Sequence, residues 1–265
     1  MAETATLSNR SICSARPRSR TSCCLKAPKQ IVHNPDPSIY DQQLVFESGG
    51  APTFDSPDIT TVHLWPVSPI AALGVTVRNL SSEASANQTR IDLGWSAWGI
   101  GMPRTPIGST FVNLARAGYP GSEASISWPT PPLVTSAGRY GIFVDVVHPY
   151  DTDPNNNNGE QTVDGFQTST GRKKIFVVPV RNPTGSVQTV NLAVGPAQVI
   201  PWVNVVPSTL TLAAGAQQDV MVGVDVPTTI PASPPGTLIS ATVNVLATIG
   251  GEYLGGISID ILFDA

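Results

Sequence analysis

Trp202 to Pro227, WVNVVPSTLTLAAGAQQDVMVGVDVP, decides the fold class. Leu210 and Leu212 alternate with Thr209 and Thr211, and Ala213-Ala214-Gly215 then interrupts the run. Beyond it Val220, Val222, Val224 and Val226 alternate with Met221, Gly223 and Asp225. Successive side chains of a strand point to opposite faces, so a period of two gives each run one apolar face to bury. Two such runs around a Gly-bearing turn predict a β-hairpin.

The same grammar extends in both directions. Toward the C-terminus, Ile239, Ala241, Val243, Val245 and Ala247 share a face, as do Ile257, Ile259, Ile261 and Phe263. Gln188–Val194 and Val199–Val206 complete a second set of strands. Upstream, Leu73–Arg78, Arg90–Trp98, Ser109–Leu114, Ala124–Trp128, Gly138–Val147 and Arg172–Val180 form a first set. No segment carries a helical period. Short strands at this spacing predict an all-β protein with two tandem Ig-like β-sandwiches. The turn Asn182-Pro183-Thr184-Gly185 predicts the boundary, giving an extended N-terminal arm over 1–55 and sandwiches over 56–181 and 182–265.

At 265 residues the chain has room for two domains of roughly 100 residues and a tail. Its 25 prolines and 23 glycines suit strands joined by turns, and only 13% of residues are charged. The charge is unevenly placed. Residues 1–30 hold Arg10, Arg16, Arg18, Arg20, Lys26 and Lys29 against Glu3 alone, leaving nine basic and eighteen acidic residues for the rest. A basic tail on an acidic body suits docking onto a neighbouring copy or an anionic surface. The three cysteines, Cys13, Cys23 and Cys24, all lie in that tail, so no disulfide staples the body. There is no apolar run of membrane-spanning length and no apolar core of a standard signal peptide.

Residues 56–180 resemble bacterial surface Ig-like modules of the CARDB type. The likeness rests on Ser56-Pro57-Asp58-Ile59, on Val75, Val77 and Asn79, on a Trp-bearing second strand, and on GRYGIFVDVVHPYDTDPNNNN from Gly138. Residues 180–265 resemble a second Ig-like type common in exported bacterial proteins, through Asn182, Trp202, Pro207-Ser208, Leu210, the AAGAQQ run, the valine ladder and Pro235-Gly236. The resemblance implies modules that bind, space or assemble rather than catalyse.

Three groups of residues are candidates for function. Asp153, Asn155, Asn157 and Asp164 fall at offsets 1, 3, 5 and 12 of an EF-hand loop, with Asp151 just before. Hard oxygen ligands in that pattern make Ca²⁺ the one candidate cofactor. The alternative is an Asn-rich loop whose side chains bond their own backbone. Trp98, Tyr119 and Trp128 form a candidate ligand patch, with core or turn packing as the alternative. Third comes the arm: Arg16, Arg18 and Arg20 supply charge, Cys23 and Cys24 a covalent lock, and Ile39, Tyr40, Leu44, Val45 and Phe46 an apolar anchor.

Nothing here assembles a nucleophile with its base, the histidines (His33, His63, His148) are scattered, and no base-reading motif for sequence-specific nucleic-acid recognition is present. The expected function is therefore a non-enzymatic subunit of an extracellular or cell-surface assembly, a filament or surface layer, polymerising with other copies of itself through the arm. The alternatives are a virion surface or decoration protein docking on a capsid lattice, and an accessory module binding carbohydrate or protein.

Overall fold

The computed structural model describes residues 33–63, 70–128, 140–169, 171–196, 200–228 and 238–264. Arg16, Arg18, Arg20, Cys23 and Cys24 of the expected assembly arm lie outside these residues.

The elements run β1 (Pro37–Ser38), α1 (Gln42–Glu47), β2 (Ile59–His63), β3 (Ile70–Asn79), β4 (Ala86–Ala97), β5 (Thr105–Leu114), β6 (Glu123–Trp128), β7 (Tyr140–Val147), β8 (Asn158–Gln161), β9 (Val163–Ser169) and β10 (Lys173–Arg181). They continue as β11 (Gln188–Gly195), β12 (Val203–Val206), β13 (Thr209–Leu212), β14 (Gln217–Asp225), β15 (Leu238–Ile249) and β16 (Glu252–Asp264). The protein is all-β, with sheets that are antiparallel except at the β9–β16 pair, stacked on hydrophobic cores as the periodicity predicts.

One core lies between the sheet built on β3, which pairs with β1, β2 and β6, and the sheet β5-β4-β7-β8. Leu73, Val75 and Val77 face Ile91, Leu93, Ile142, Val144 and Val146 across it, all buried. The other core lies between the sheets β10-β14-β12 and β13-β11-β15-β16-β9. Val220, Val222, Val224 and Val226 meet Val243, Val245, Ile257, Ile259, Ile261 and Phe263 there. Each such side chain removed from water contributes roughly 1.5–3 kcal/mol.

Three expectations need correction. First, β13 and β14 are not a hairpin. β13 pairs with β11, while β14 pairs with β10 and β12 in the opposing sheet. Leu210 and Leu212 are buried as the alternation requires, so the chain turns a corner at Gly215 (φ +69°) and crosses the core. Second, the boundary is not at 181/182. β9 pairs in parallel with β16, and Phe176, Val178 and Val180 of β10 fill the second core. The crossing point is Thr162, fully buried, whose N–H donates to the Phe54 carbonyl and whose carbonyl accepts from Ser258 N–H (both 2.8 Å). Asn182 sits inside the second sandwich, fully buried, and its Nδ2 reaches the carbonyls of Ser186, Leu212 and Ala213.

Third, residues 33–55 do not extend away from the body. β1 pairs with β3, and Ile39 is buried in the first core. Asp41 caps α1, its Oδ1 accepting from Leu44 N–H at 3.0 Å. The Gln42 amide works as an extra piece of strand beside β8. Its Oε1 accepts from Glu160 N–H (3.0 Å) and its Nε2 donates to the Glu160 carbonyl (2.5 Å). That satisfies an edge that would otherwise be open to pairing with another chain.

Candidate functional site

Among the described residues, two places that break the usual ordering of polar outside and apolar inside bear on function. One is the seam where the two cores join. Phe54 is fully buried there, and a Cβ on Gly256 would collide with its ring, so glycine leaves the room the ring needs. From the other side, Trp98 and Ile100 enter the second core. Ile100 N–H donates to the Pro179 carbonyl, and Arg181 N–H donates to the Ile100 carbonyl (2.9 Å each). Gly101 follows at φ +69°, tight against the Arg181 carbonyl.

A cleft of about 170 Å³ opens at this seam, lined among others by Met102, Arg104, Phe143, Glu160 and Leu254. Glu160, only 7% exposed, is its one carboxyl. The Thr162 hydroxyl donates to Glu160 Oε1 at 2.9 Å and the Tyr253 hydroxyl to Oε2 at 3.2 Å. Burial pushes the Glu160 carboxyl from its ordinary 4.5 up to about 7, against the opposing pull of the Thr162 hydroxyl, the Arg104 charge and the Tyr253 hydroxyl. Burial, and then the neighbouring Glu160, pushes the Tyr253 phenol well above its usual range. Arg104 stacks 4.0 Å over the Phe143 ring and lies 3.6 Å from Asp145. Every polar atom of the Glu160 carboxylate is thus met by the fold itself. Sequence reasoning missed this residue, and NNNNGEQT carries no signal that would mark its glutamate as buried.

The other place is the outer face of the sheet β10-β14-β12. The register sets Val177 opposite Met221, and Met221 opposite Val206, in one row across three strands. These three are 51%, 51% and 49% exposed, and Ile175, next along the same face of β10, is 55% exposed. Charged residues bracket the row. Lys173 lies beside Asp225 (3.9 Å) at one end, and Arg181 and Asp219 face outward toward the other.

The residues expected to form sites are placed elsewhere. In the Asn-rich loop, Asp153 Oδ1 accepts from Asn155 N–H (3.2 Å) and Asp151 Oδ1 from Asp153 N–H (3.0 Å). Asn157 Nδ2 donates to Asp151 Oδ2 at 2.7 Å, and Asn156 Nδ2 to Asp36 Oδ1 at 2.9 Å. Amide NH₂ groups, not oxygens, therefore meet these carboxylates. Asp164 stands on β9, paired with Ile259 in the second sandwich. The twelve-residue spacing is real, but two strands, β8 and the start of β9, occupy its second half, so the offsets do not close one coordination sphere. No group of three or more His, Cys, Asp or Glu able to hold a metal occurs among the described residues.

The aromatic patch also dissolves. Trp98, 5% exposed, belongs to the second core, and Trp128 packs on the first. Tyr119 is exposed, with the Arg116 guanidinium 4.5 Å above its ring. Of the apolar anchor, Ile39 is core, Tyr40 holds Thr53 N–H on its hydroxyl (3.1 Å), and the Phe46 ring lies 6.1 Å from Tyr253. Val45 is half-buried and Leu44 exposed. These side chains serve their own body.

No family model matches the chain, and no curated relative matches it. Among solved structures, the periplasmic chaperone SfaE is similar at 16% identity and TM-score 0.26, over 37% of this chain and 53% of that one. Red sea bream transglutaminase is similar at 9% identity and TM-score 0.27, over 83% of this chain and 32% of that one. A protein of unknown function from Porphyromonas gingivalis W83 is similar at 12% identity and TM-score 0.26, over 74% of this chain and 94% of that one. The chain thus spans about half the length of the chaperone and a third of the transglutaminase. None of these names the CARDB type, and at such scores the likenesses carry no functional argument. Among the described residues no helix is long and apolar enough to cross a membrane.

Proposed function

We propose that this protein is a non-enzymatic structural subunit of an extracellular or cell-surface assembly, a filament or surface layer, and that its copies meet through sheet faces. The observation that carries this reading is the row Val177, Met221 and Val206 on the outer face of β10-β14-β12, each about half exposed. Contiguous apolar surface rimmed by charge marks an interaction site more often than a bare solvent face.

The seam supports the same reading from the opposite direction. Its one carboxyl is fully partnered by Thr162 and Tyr253, which suits a joint holding two sandwiches as a single brick. The arm keeps a reduced part in this proposal. Residues 33–55 are spent on their own body, so exchange between copies falls to the basic residues before them, where Arg16, Arg18 and Arg20 oppose an acidic body.

Negative-stain microscopy of the purified full chain tests the function. Filaments, sheets or rings are expected. A field of monodisperse single particles at every concentration contradicts the reading.

A further inference from the structure

We infer that the partner of the β10-β14-β12 face is the same face of a second copy, related by a two-fold axis that runs along the strands between β10 and β14. This rests on the face being the assembly surface.

The argument is one of register and charge. Outward side chains on this sheet form a grid. Lys173 and Asp225 share one row; Ile175, Gly223 and Asn204 the next; Val177, Met221 and Val206 the third; Pro179 and Asp219 the fourth; Arg181 and Gln217 the last. A sheet that docks on its own copy has only a few ways to turn over. An axis along the strands keeps every row above itself and exchanges the two columns β10 and β14. Lys173 then stands over the Asp225 of the second copy, its own Asp225 stands under the second copy's Lys173, and Val177 packs on Met221 twice. An axis across the strands reverses the rows instead. It brings Lys173 onto Arg181, like charge against like, and leaves Asp225 opposite Gln217 with no cation to meet. The charges at the ends of the apolar row therefore select the first arrangement and penalise the second. Within one chain Lys173 and Asp225 sit 3.9 Å apart and are both well exposed, so they hold each other only loosely and remain available across an interface.

The experiment is a mixing test on the full chain by sedimentation velocity at low ionic strength, where exposed charges are least screened. Lys173→Asp alone sets Asp against Asp at both reciprocal contacts. Asp225→Lys alone sets Lys against Lys. Each single variant is expected to weaken self-association roughly tenfold. An equimolar mixture of the two variants restores opposite charges at both contacts, and association is expected to return to near the wild-type level. Each variant's melting temperature should match the parent, because both positions are on the surface. The proposal is overturned if the single variants associate like wild type, or if the mixture is no tighter than either alone. Met221→Lys separates this failure from failure of the underlying reading. If Met221→Lys abolishes association while the mixture fails to restore it, the face assembles but not about this axis. If Met221→Lys associates like wild type, the face itself is wrong.

Discussion

At the seam a carboxyl lies inside, Glu160, and on the outer sheet a methionine lies outside, Met221. Each placement costs free energy in an isolated chain, and the surroundings differ in how they answer it. Around Glu160 the Gln42 amide takes its backbone, the Thr162 and Tyr253 hydroxyls take its oxygens, and burial holds it toward the protonated form. Among the described residues Met221 is left half exposed. Val177 and Val206 flank it in the same exposed row. An inversion completed by the fold points to architecture, whereas one left incomplete points to a partner.

The largest effect is expected at the seam. Phe54→Ala removes a fully buried ring beside Gly256 and Tyr253 and should cost about 3–5 kcal/mol, read as a loss of melting temperature. A cost below about 1 kcal/mol would mean that the two sandwiches do not depend on the seam.

Second comes the pH dependence of Glu160. Its folded value is raised from 4.5 to about 7, so the folded state binds the proton more tightly than the unfolded chain. Its contribution is present in full below about pH 4.5 and is lost as pH rises through about 7, a change on the order of 3 kcal/mol. Arg104 and Tyr253 face the same carboxyl. Denaturant unfolding at pH 5 and pH 8 should show the parent less stable at pH 8, with Glu160→Gln reducing that difference. The raised carboxyls of Asp36, Asp41, Asp145 and Asp260 act with the same sign. An unchanged profile in Glu160→Gln would remove the buried acid from the account.

The outer face should behave in the opposite way. Val177→Lys and Met221→Lys are expected to alter monomer stability by no more than about 0.5 kcal/mol, because both side chains are already wet. Last and smallest is calcium. With Asp151 and Asp153 bonded within their own loop and Asp164 on another sheet, added Ca²⁺ should leave the melting temperature where chelator leaves it. A calcium-dependent rise would reinstate the loop as a site.

The faces of these strands were legible in the sequence, and their partners were not. Alternation told correctly that Leu210, Leu212, Val220, Val222, Val224 and Val226 point inward. It carries no record of which strand lies alongside, so a corner between two sheets looked like a hairpin. The boundary was hidden for a related reason. Thr162 closes the polar run 155–161, which reads as a loop inside one sandwich although β8 and the passage to β9 lie in it, and the conspicuous turn at Asn182 is internal. Parity counted from Trp95 turns Trp98 outward, but β4 ends at Ala97, so parity no longer applies one residue later and Trp98 is buried. The EF-hand spacing failed because offsets along a chain fix ligand geometry only when the chain forms one loop. Glu160 and the exposed row needed the register, which brings Val177, Met221 and Val206 together from three separate stretches.

Sedimentation velocity of the full chain across a wide concentration range, beside a Val177→Lys/Met221→Lys double variant, tests the central claim most directly. The parent's sedimentation coefficient should climb with concentration, while the folded double variant should associate far more weakly over the same range. A parent that sediments as one monomeric species throughout, or a double variant that associates equally well, would contradict it.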